Sequence, residues 1–599
     1  MEEVLRSTEM AGWHRNDSSQ VRDALQQDNH PESSHTDKHQ PQKEHSSKDT
    51  PHQACPSSSS PPGSPSTGDA RERQVEGREP MRPKGSPSCC QLNELRRLPQ
   101  CHNKLGKLTF DRTHTVLVDV SYFNCGGGIK PQRGRLLWDR NFVKMPYSPE
   151  NKINKTGFLM SQTQGQRWEV ISKKLKDVAS RKAANVDQVE EAIIKYNPKY
   201  KGQWSFDALS SFVKCIPEQE NYFSTLFPKI ADLALRLPDQ VQKAIPLLQK
   251  ERPVAVTLSQ EQISCLLANA FFCTFPHRNV SGPNAEYHNY PSINFTSLFG
   301  NWSLRKKEKL RAIMHYFNVV TNENSKPKGL VTFERRCLRD TDTHNWDSCK
   351  ETLHKLHVTS DGSIETEGTG LLQVDFASSS IGGGVLGSGL VQEEILFLMS
   401  PELIVSRLFT EKLSDNECLI ITGCQQFSRY SGFSDSFEWA GPYEDYLERD
   451  KWGRMKRQIL VMDALNFKRR QEQYSMINVI RELNKAYCGF KGQGPNEPDI
   501  ATGKWGCGAF NGDPQLKAVI QLMAAAKARR GLAFFTFRDR VLEQGLQDIY
   551  RLLVTEGITV DKLYRQLEDY CGVQQARGDQ HVDLFQFITN NVQHYRSHL

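Results

Sequence analysis

No apolar run in the chain reaches the roughly 18 residues that a membrane-crossing helix needs, and Met1-Glu2-Glu3 opens neither a secretory signal nor an Arg-rich, acid-poor transit peptide. The expectation is a soluble protein of the nucleus and cytoplasm with no membrane partner. The fifteen cysteines include no CxxC pair and no Cys/His cluster of zinc spacing. Zinc ribbons and dithiol redox motifs are thereby excluded, reduced thiols are expected, and no metal site is. An excess of one charge is also lacking: 77 Lys and Arg against 70 Asp and Glu give a formal net charge of +7. Residues 1–100 are slightly acidic, so the rest is somewhat more basic than the whole, enough to help attract a polyanion and no more. Large apolar residues are scarce in those first hundred, as in SSHTDKHQPQKEHSSKDTPHQACPSSSSPPGSPSTGDA. Such a segment cannot offset the entropy of ordering, so residues 1–105 are expected to be a disordered tail, the six irregularly spaced histidines of its first hundred residues solvated.

What is present fills more than one ordinary core, since 599 residues exceed the span of a single domain. A strand pattern begins at His114-Thr115-Val116-Leu117-Val118-Asp119-Val120 and gives way to a loop containing Gly126 to Gly128. Helical spacing then recurs: Trp168 to Lys176, Val189 to Tyr196 after an Asp187 cap, and Ile230 to Leu237 entered through Pro228. Ser259 with Gln262 three residues on is a capping-box pattern ahead of Ile263, Leu266 and Leu267. Residues 140–275 thus read as all helix, within a first folded region spanning 106–330. The run SLRKKEKLR that follows suits an import or phosphate-binding patch and equally a charged helix face.

From residue 331 to 599 the period changes. Cys418 to Thr422, Ile459 to Ala464 and Leu532 to Phe537 are short apolar runs of strand length, while Pro401 and Pro514 open helices at the favoured first position. Alternation of strand and helix over this length argues a three-layer α/β domain with a parallel or mixed sheet.

The richest stretch is LLQVDFASSSIGGGVLGSGLVQEEILFL, residues 371–398. A buried strand runs into a glycine-rich loop that suits a phosphate, and the loop closes on adjacent carboxylates, Glu393 and Glu394, anchored by Ile395 to Leu398. Gly382, Gly384 and Gly387 also spell the dinucleotide pattern G-x-G-x-x-G, but that fingerprint wants its acidic partner about 20 residues on, at the end of the next strand. A structural turn with solvated glutamates is the other plain alternative.

Triple glycine, seven residues and Gln-Glu-Glu, behind Val-Asp-Phe-Ala, is similar to the signature of the poly(ADP-ribose) glycohydrolases, macrodomain-type enzymes. Similar stretches continue through PELIVSRLF, ECLIITG, RELNKAYCGF, ATGKWGCGAF and FFTF, so the resemblance runs from about Thr115 into the C-terminal region. It implies a macrodomain-like three-layer mixed sheet with an N-terminal α-helical accessory region. It also implies hydrolysis of poly(ADP-ribose) by a monomer without cofactor, acting on poly(ADP-ribosyl)ated proteins in the DNA damage response. By the same resemblance Glu394 is the general acid and base and Glu393 holds a ribose. Asp375 braces loop or ligand, although a strand-end cap is an equal reading. Glu365 recognises adenine, Gln392 lies among the substrate-binding residues, and Gly383, Gly384, Gly508 and Ala509 bring amides to the diphosphate. Tyr430, Phe433, Phe510 and Phe537 line the pocket, with Phe433 where the family has a tyrosine over adenine.

Two further departures accompany the one at Phe433. Ser378 and Lys504 stand where the family has asparagines. If Ser378 leaves a buried group unpaired, the cost is about 1 to 3 kcal/mol, a slowing of roughly 5- to 150-fold if it falls wholly on the transition state. Lys504 adds a cation able to pair with phosphate or depress a glutamate pKa. These changes leave a weakened or non-catalytic polymer reader as the alternative to an active hydrolase.

Overall fold

The computed structural model describes residues 89–98, 112–124, 126–156, 162–280, 282–343, 345–492, 497–578 and 580–597. The tail expected over residues 1–105 lies outside these, apart from residues 89–98. Those pack against the body: Leu95 and Leu98 are buried, and Leu95 joins Ile364, Leu371, Ala501, Ala533 and Phe535 in a small core. Two leucines three residues apart supply the apolar area that the composition of the segment as a whole conceals.

In chain order the strands are β1 (His114–Val116), β2 (Lys152–Thr156), β3 (Gln162–Gln166), β4 (Ala255–Ser259), β5 (Leu330–Cys337), β6 (Leu356–Thr359) and β7 (Leu372–Ala377). They continue with β8 (Glu417–Thr422), β9 (Ser428–Ser431), β10 (Glu438–Pro442), β11 (Gln458–Asp463), β12 (Ile500–Gly503) and β13 (Leu532–Phe535). Among the described residues, nine of them form one sheet in the order β1-β4-β5-β8-β11-β7-β12-β13-β6. The run β11-β7-β12-β13-β6 is parallel, whereas β4-β5-β8-β11 is antiparallel, so the sheet is mixed. Successive side chains alternate between its faces: Val374, Ile420, Leu460 and Met462 enter one core, and Leu419, Ile421, Ile459 and Val461 the other.

Helices cover both faces, giving the expected three layers. On one face lie α1 (Arg167–Ala179), α2 (Val186–Tyr196), α3 (Asp207–Cys215), α4 (Phe223–Leu235), α5 (Gln260–Phe271), α6 (Leu304–Val320) and α7 (Gln392–Met399). On the other lie α8 (Met476–Phe490), α9 (Pro514–Lys527), α10 (Arg540–Thr555), α11 (Val560–Arg577) and α12 (Leu584–Ser597).

Local sequence explains most of the boundaries. Ser259 and Gln262 form the expected reciprocal box at the start of α5, with bonds of 3.0 and 2.9 Å. The cap of α2 is Asn185 rather than Asp187, again in a reciprocal box, with Gln188. Pro228 lies inside α4 instead of opening it, and the Ser224 carbonyl that a helical N–H at 228 would have bonded accepts from the Ala184 N–H at 2.8 Å. Residues 140–275 are not all helix. They contain the β2–β3 hairpin and β4, and β4 lies between β1 and β5 in the main sheet, so the span 106–330 contributes two sheet strands beside its helices. Four residues of β4 are buried, so its strand signal is a short apolar run next to a strong helix cap.

A buried ion pair ties β5 and β8 to the helical side. The Arg335 guanidinium meets both carboxylate oxygens of Glu417 and donates to the Leu248 and Glu411 carbonyls at 2.9 and 2.6 Å. Glu417 also accepts the N–H groups of Glu251 and Ser414. Burial opposes the charge on Glu417, but the guanidinium outweighs it and holds its pKa below the ordinary range. A carboxylate with a depressed pKa stabilises the fold above its unfolded pKa and loses that contribution as pH falls through the folded value. Glu417→Ala is therefore expected to cost about 3–5 kcal/mol at neutral pH by leaving the arginine uncompensated. In urea titrations that deficit should narrow below about pH 4.

Candidate active site

The site begins where two strands part. β7 pairs with β11 along its whole length but with β12 only at Leu372 and Gln373. The Leu372 N–H donates towards β12, to the Asp499 carbonyl, so Val374 and Phe376, of the same parity, turn their peptide groups into the widening gap. Unpaired, those groups would carry a penalty. Gln392 fills the role of the missing strand: its Oε1 accepts from the Phe376 N–H at 2.8 Å, and its Nε2 donates to the Val374 carbonyl at 3.4 Å and to Glu365 Oε1 at 3.3 Å. A crevice at the carboxyl ends of parallel strands is the usual ligand position in such sheets.

Into this crevice the loop 378–391 delivers α7, whose first three residues are Gln392, Glu393 and Glu394. Glu393 accepts the Ser378 N–H at 2.8 Å and the Gly382 N–H at 2.6 Å. Glu394 accepts the Gly384 N–H at 2.7 Å and, from the third helical position back to the cap, the Val391 N–H at 2.8 Å. Both side chains are buried. The loop closes so tightly that a Cβ on Gly383, where φ is 43°, would fall 2.4 Å from Glu394 Oε1 and 2.8 Å from Glu393 Oε2. One on Gly389 would fall 2.6 Å from Glu394 Oε1, so glycine at both positions is a steric requirement.

Two buried cations that sequence reasoning missed hold the outside of the loop. Arg407 Nη1 donates to the carbonyls of Ile381 and Gly383 at 2.7 and 3.0 Å. Lys309, from α6, donates to those of Gly384, Val385 and Gly387 at 2.9, 3.3 and 2.8 Å. The signal for Lys309 was available: Lys306 and Lys309 continue the stripe of Leu310, Ile313 and Phe317 at helical spacing, which places them in the interior rather than on a solvated face or an open patch.

The electrostatics follow from burial. Asp375 on β7 has no exposed surface, and neither carboxylate oxygen has a hydrogen-bond partner among the described residues. Burial first, then the charges of Glu394 and Glu365, push its pKa well above the carboxylate range. Asp375 is thus no strand-end cap. Glu393 is also pushed well up, by burial and then by Asp375 and Glu394, with the Ser378 and Gly382 amides opposing. Burial lowers Arg407 to about 10, with Glu393 and Glu394 pulling it back, and Lys309 to about 7, with Glu394 pulling it back.

The other candidates fall around the same mouth. Loops after β12 and β13 leave from the same sheet end as the loop after β7 because the three strands are parallel. Gly508 and Ala509 are exposed there, and a Cβ on Gly508 would meet nothing within 4 Å, so the protein itself does not demand glycine at that position. Phe510 is half-buried against the core. Phe537, at φ 52°, sets its ring edge-on to Phe376 at 6.4 Å. Tyr430 lies on β9, stacked on Phe437 at 5.9 Å; burial and then the Glu365 charge push its phenol up. Phe433 is 54% exposed in the turn of the β9–β10 hairpin.

The two asparagine departures are milder than expected. At residue 378 it is the backbone N–H that serves Glu393, and the serine hydroxyl accepts from the Ser380 N–H at 3.3 Å. Lys504 pairs with Asp539 at 3.5 Å rather than with a glutamate of the site. Among the described residues no group of three or more His, Cys, Asp or Glu is arranged to hold a metal ion.

Comparison with known proteins agrees with this geometry. Residues 343–544 match the family model described as poly(ADP-ribose) glycohydrolase, Macro domain fold, and residues 216–335 match the one described as its helical domain. Poly(ADP-ribose) glycohydrolase 1 of Arabidopsis thaliana is 30% identical over 436 residues, covering 59% of this chain and 79% of that protein. Poly(ADP-ribose) glycohydrolase 1 of Caenorhabditis elegans is 32% identical over 393 residues, covering 61% of this chain and 48% of that protein. With a nine-stranded mixed sheet, a helical layer and a carboxylate pair closed in by a glycine loop, the chain belongs to the poly(ADP-ribose) glycohydrolase family.

Proposed function

We propose that this protein hydrolyses the ribose–ribose O-glycosidic bonds of poly(ADP-ribose) and releases ADP-ribose. The observation that carries the reading is the pair of buried carboxylates on the first turn of α7, with the Gly383 backbone set against both. Bond cleavage passes through an oxocarbenium-like state, so the departing hydroxyl oxygen needs a proton as its bond to the anomeric carbon breaks. Glu394 supplies that proton and then takes one from the water that attacks the same carbon. Adjacent residues on one helical turn do not flank a sugar from opposite faces, so one carboxyl serves both halves of the reaction. Glu393, fixed by two amides, holds a ribose hydroxyl. Glycine-loop and Gly508–Ala509 amides receive the diphosphate, and Glu365, Tyr430 and Phe433 receive the adenine.

The alternative of a non-catalytic polymer reader finds no support: both carboxylates and the amides that orient them are in place, and Ser378 and Lys504 leave Glu393 with its partners. The net charge of +7 suits a polyanion. To the same proposal belong action as a monomer on poly(ADP-ribosyl)ated proteins, in nucleus and cytoplasm, and a part in the DNA damage response.

Single-turnover release of ADP-ribose from labelled polymer tests the assignment. Glu394→Gln should lower the rate by about 10²- to 10⁴-fold, while Ser378→Asn should stay within a few-fold of wild type, because the N–H to Glu393 survives. Polymer bound by wild type with nothing released would sink the hydrolase reading.

Asp375 yields a second expectation. An acid whose folded pKa is raised favours the fold below its unfolded pKa, and that contribution is lost as pH rises. Asp375→Asn is expected to raise the melting temperature at pH 7 and to give no gain near pH 4, while activity falls. Equal melting temperatures at both pH values would show the carboxyl to be less strained than its lack of partners implies.

A further inference from the structure

We propose that Arg407 and Lys309 are positioning residues of the hydrolytic reaction, Arg407 acting on Glu393 and Glu394 through two shared peptides of the glycine loop and Lys309 by fixing the carbonyls that follow them. This rests on the hydrolase reading above and extends it to two buried residues that share no acceptor.

The argument is one of shared peptides. The Ile381–Gly382 peptide gives its carbonyl to Arg407 at 2.7 Å and its N–H to Glu393 at 2.6 Å. The Gly383–Gly384 peptide gives its carbonyl to the same Arg407 nitrogen at 3.0 Å and its N–H to Glu394 at 2.7 Å. One guanidinium nitrogen therefore lies behind one of the two orienting amides of each carboxylate. Lys309 holds the next carbonyl, that of Gly384, at 2.9 Å; the N–H of that peptide, on Val385, donates at 2.9 Å to the Gly382 carbonyl, so Lys309 fixes the turn that carries the two bridging peptides. Each of the two peptides bound by Arg407 has a cation at its oxygen and a carboxylate at its N–H, so its dipole is aligned with both charges and each hydrogen bond polarises the next. Tipping either peptide would break a bond to a cation and a bond to a glutamate together.

The cations are themselves fixed. Arg407 Nε donates to the Ser292 carbonyl at 2.8 Å, and the Arg407 carbonyl accepts from buried Arg278 at 2.8 Å. Lys309 arrives on α6, where Arg305 donates to the Ser388 carbonyl at 3.3 Å and to Asp435 in the β9–β10 turn at 2.6 Å. The helical layer thereby holds the glycine loop and the Phe433 hairpin from one helix.

Charge as well as geometry passes along this route. The charged groups bearing on the glutamate pair are Asp375 from β7, with Glu365 beyond it, Arg407 from the segment after α7, and Lys309 from α6, on which Lys306 and Arg305 of the same helix act in turn. Removing a cation from that set disfavours ionised carboxylate, so the pH–rate profile should move to higher pH, for Lys309 on the limb below about pH 7 where it carries its charge. A residue that only supported the fold would leave the profile in place and lower the amount of active protein.

The test compares wild type, Lys309→Met and Arg407→Lys in polymer hydrolysis from pH 5 to 9, alongside ADP-ribose binding and thermal melts. Lys309→Met is expected to lower kcat on the order of 10- to 100-fold at nearly constant KM and to shift the profile upward. Arg407→Lys, the variant to read if Lys309→Met fails to fold, keeps the charge; it should leave the profile in place yet lower kcat, since an ammonium does not reproduce the planar guanidinium. A folded variant with wild-type kcat and an unmoved profile overturns the inference. Wild type that binds ADP-ribose but releases none from polymer overturns the hydrolase reading instead.

Discussion

Two carboxylates on consecutive residues, both out of water, impose the constraint on which the rest of this structure depends. Buried charge of one sign is tolerated only where hydrogen bonds and opposite charge surround it. Here four main-chain N–H groups, from Ser378, Gly382, Gly384 and Val391, face the pair. To present them the chain has to fold back over the start of α7 at van der Waals distance, which only glycine permits at residues 383 and 389. The outward carbonyls of that tight loop then need donors of their own, and Arg407 and Lys309 supply them. Glycine pattern, helix start and buried cations are successive consequences of a single requirement.

The same requirement explains why helical layer and sheet form one compact unit. Lys309 cannot reach the loop unless α6 packs against it, and α6 is held by Leu310, Ile313 and Phe317 in the core shared by the helices and one sheet face. The Arg335–Glu417 pair performs a comparable service at β5 and β8, anchoring the 248–251 segment by its carbonyls and amides. Along the other edge of β7 the sheet is left incomplete, and Gln392 substitutes for the absent neighbour. The crevice is therefore open to a ligand without leaving strand groups unpaired.

Substitutions near such a site are read differently once main chain and side chain are separated. Serine in place of asparagine at 378 alters the side chain but not what Glu393 meets, because the contact to Glu393 is an amide that any non-proline residue provides. Lysine at 504 finds its counter-charge in Asp539, the cap of α10, at the edge of the mouth.

The amino-acid sequence by itself determined the parts that depend on neighbours along the chain. The capping box at Ser259, the strand of residues 372–377, the Pro514 helix and the glycine run closing on Glu393 and Glu394 are local patterns, written within a few residues of one another. Less legible were the buried strand β4 inside a helical stretch, the anchoring of Leu95, and Pro228 within α4, each settled by a partner far away in sequence. Only the tertiary structure decided which charges surround the glutamates: Asp375 arrives orphaned from β7, Arg407 from beyond α7, and Lys309 from 85 residues earlier than Glu394. The reason is physical. Hydrogen-bonded helix ends and turns are satisfied within one or two turns of chain, whereas a buried charge is balanced by whichever groups the packed elements bring within a few ångströms.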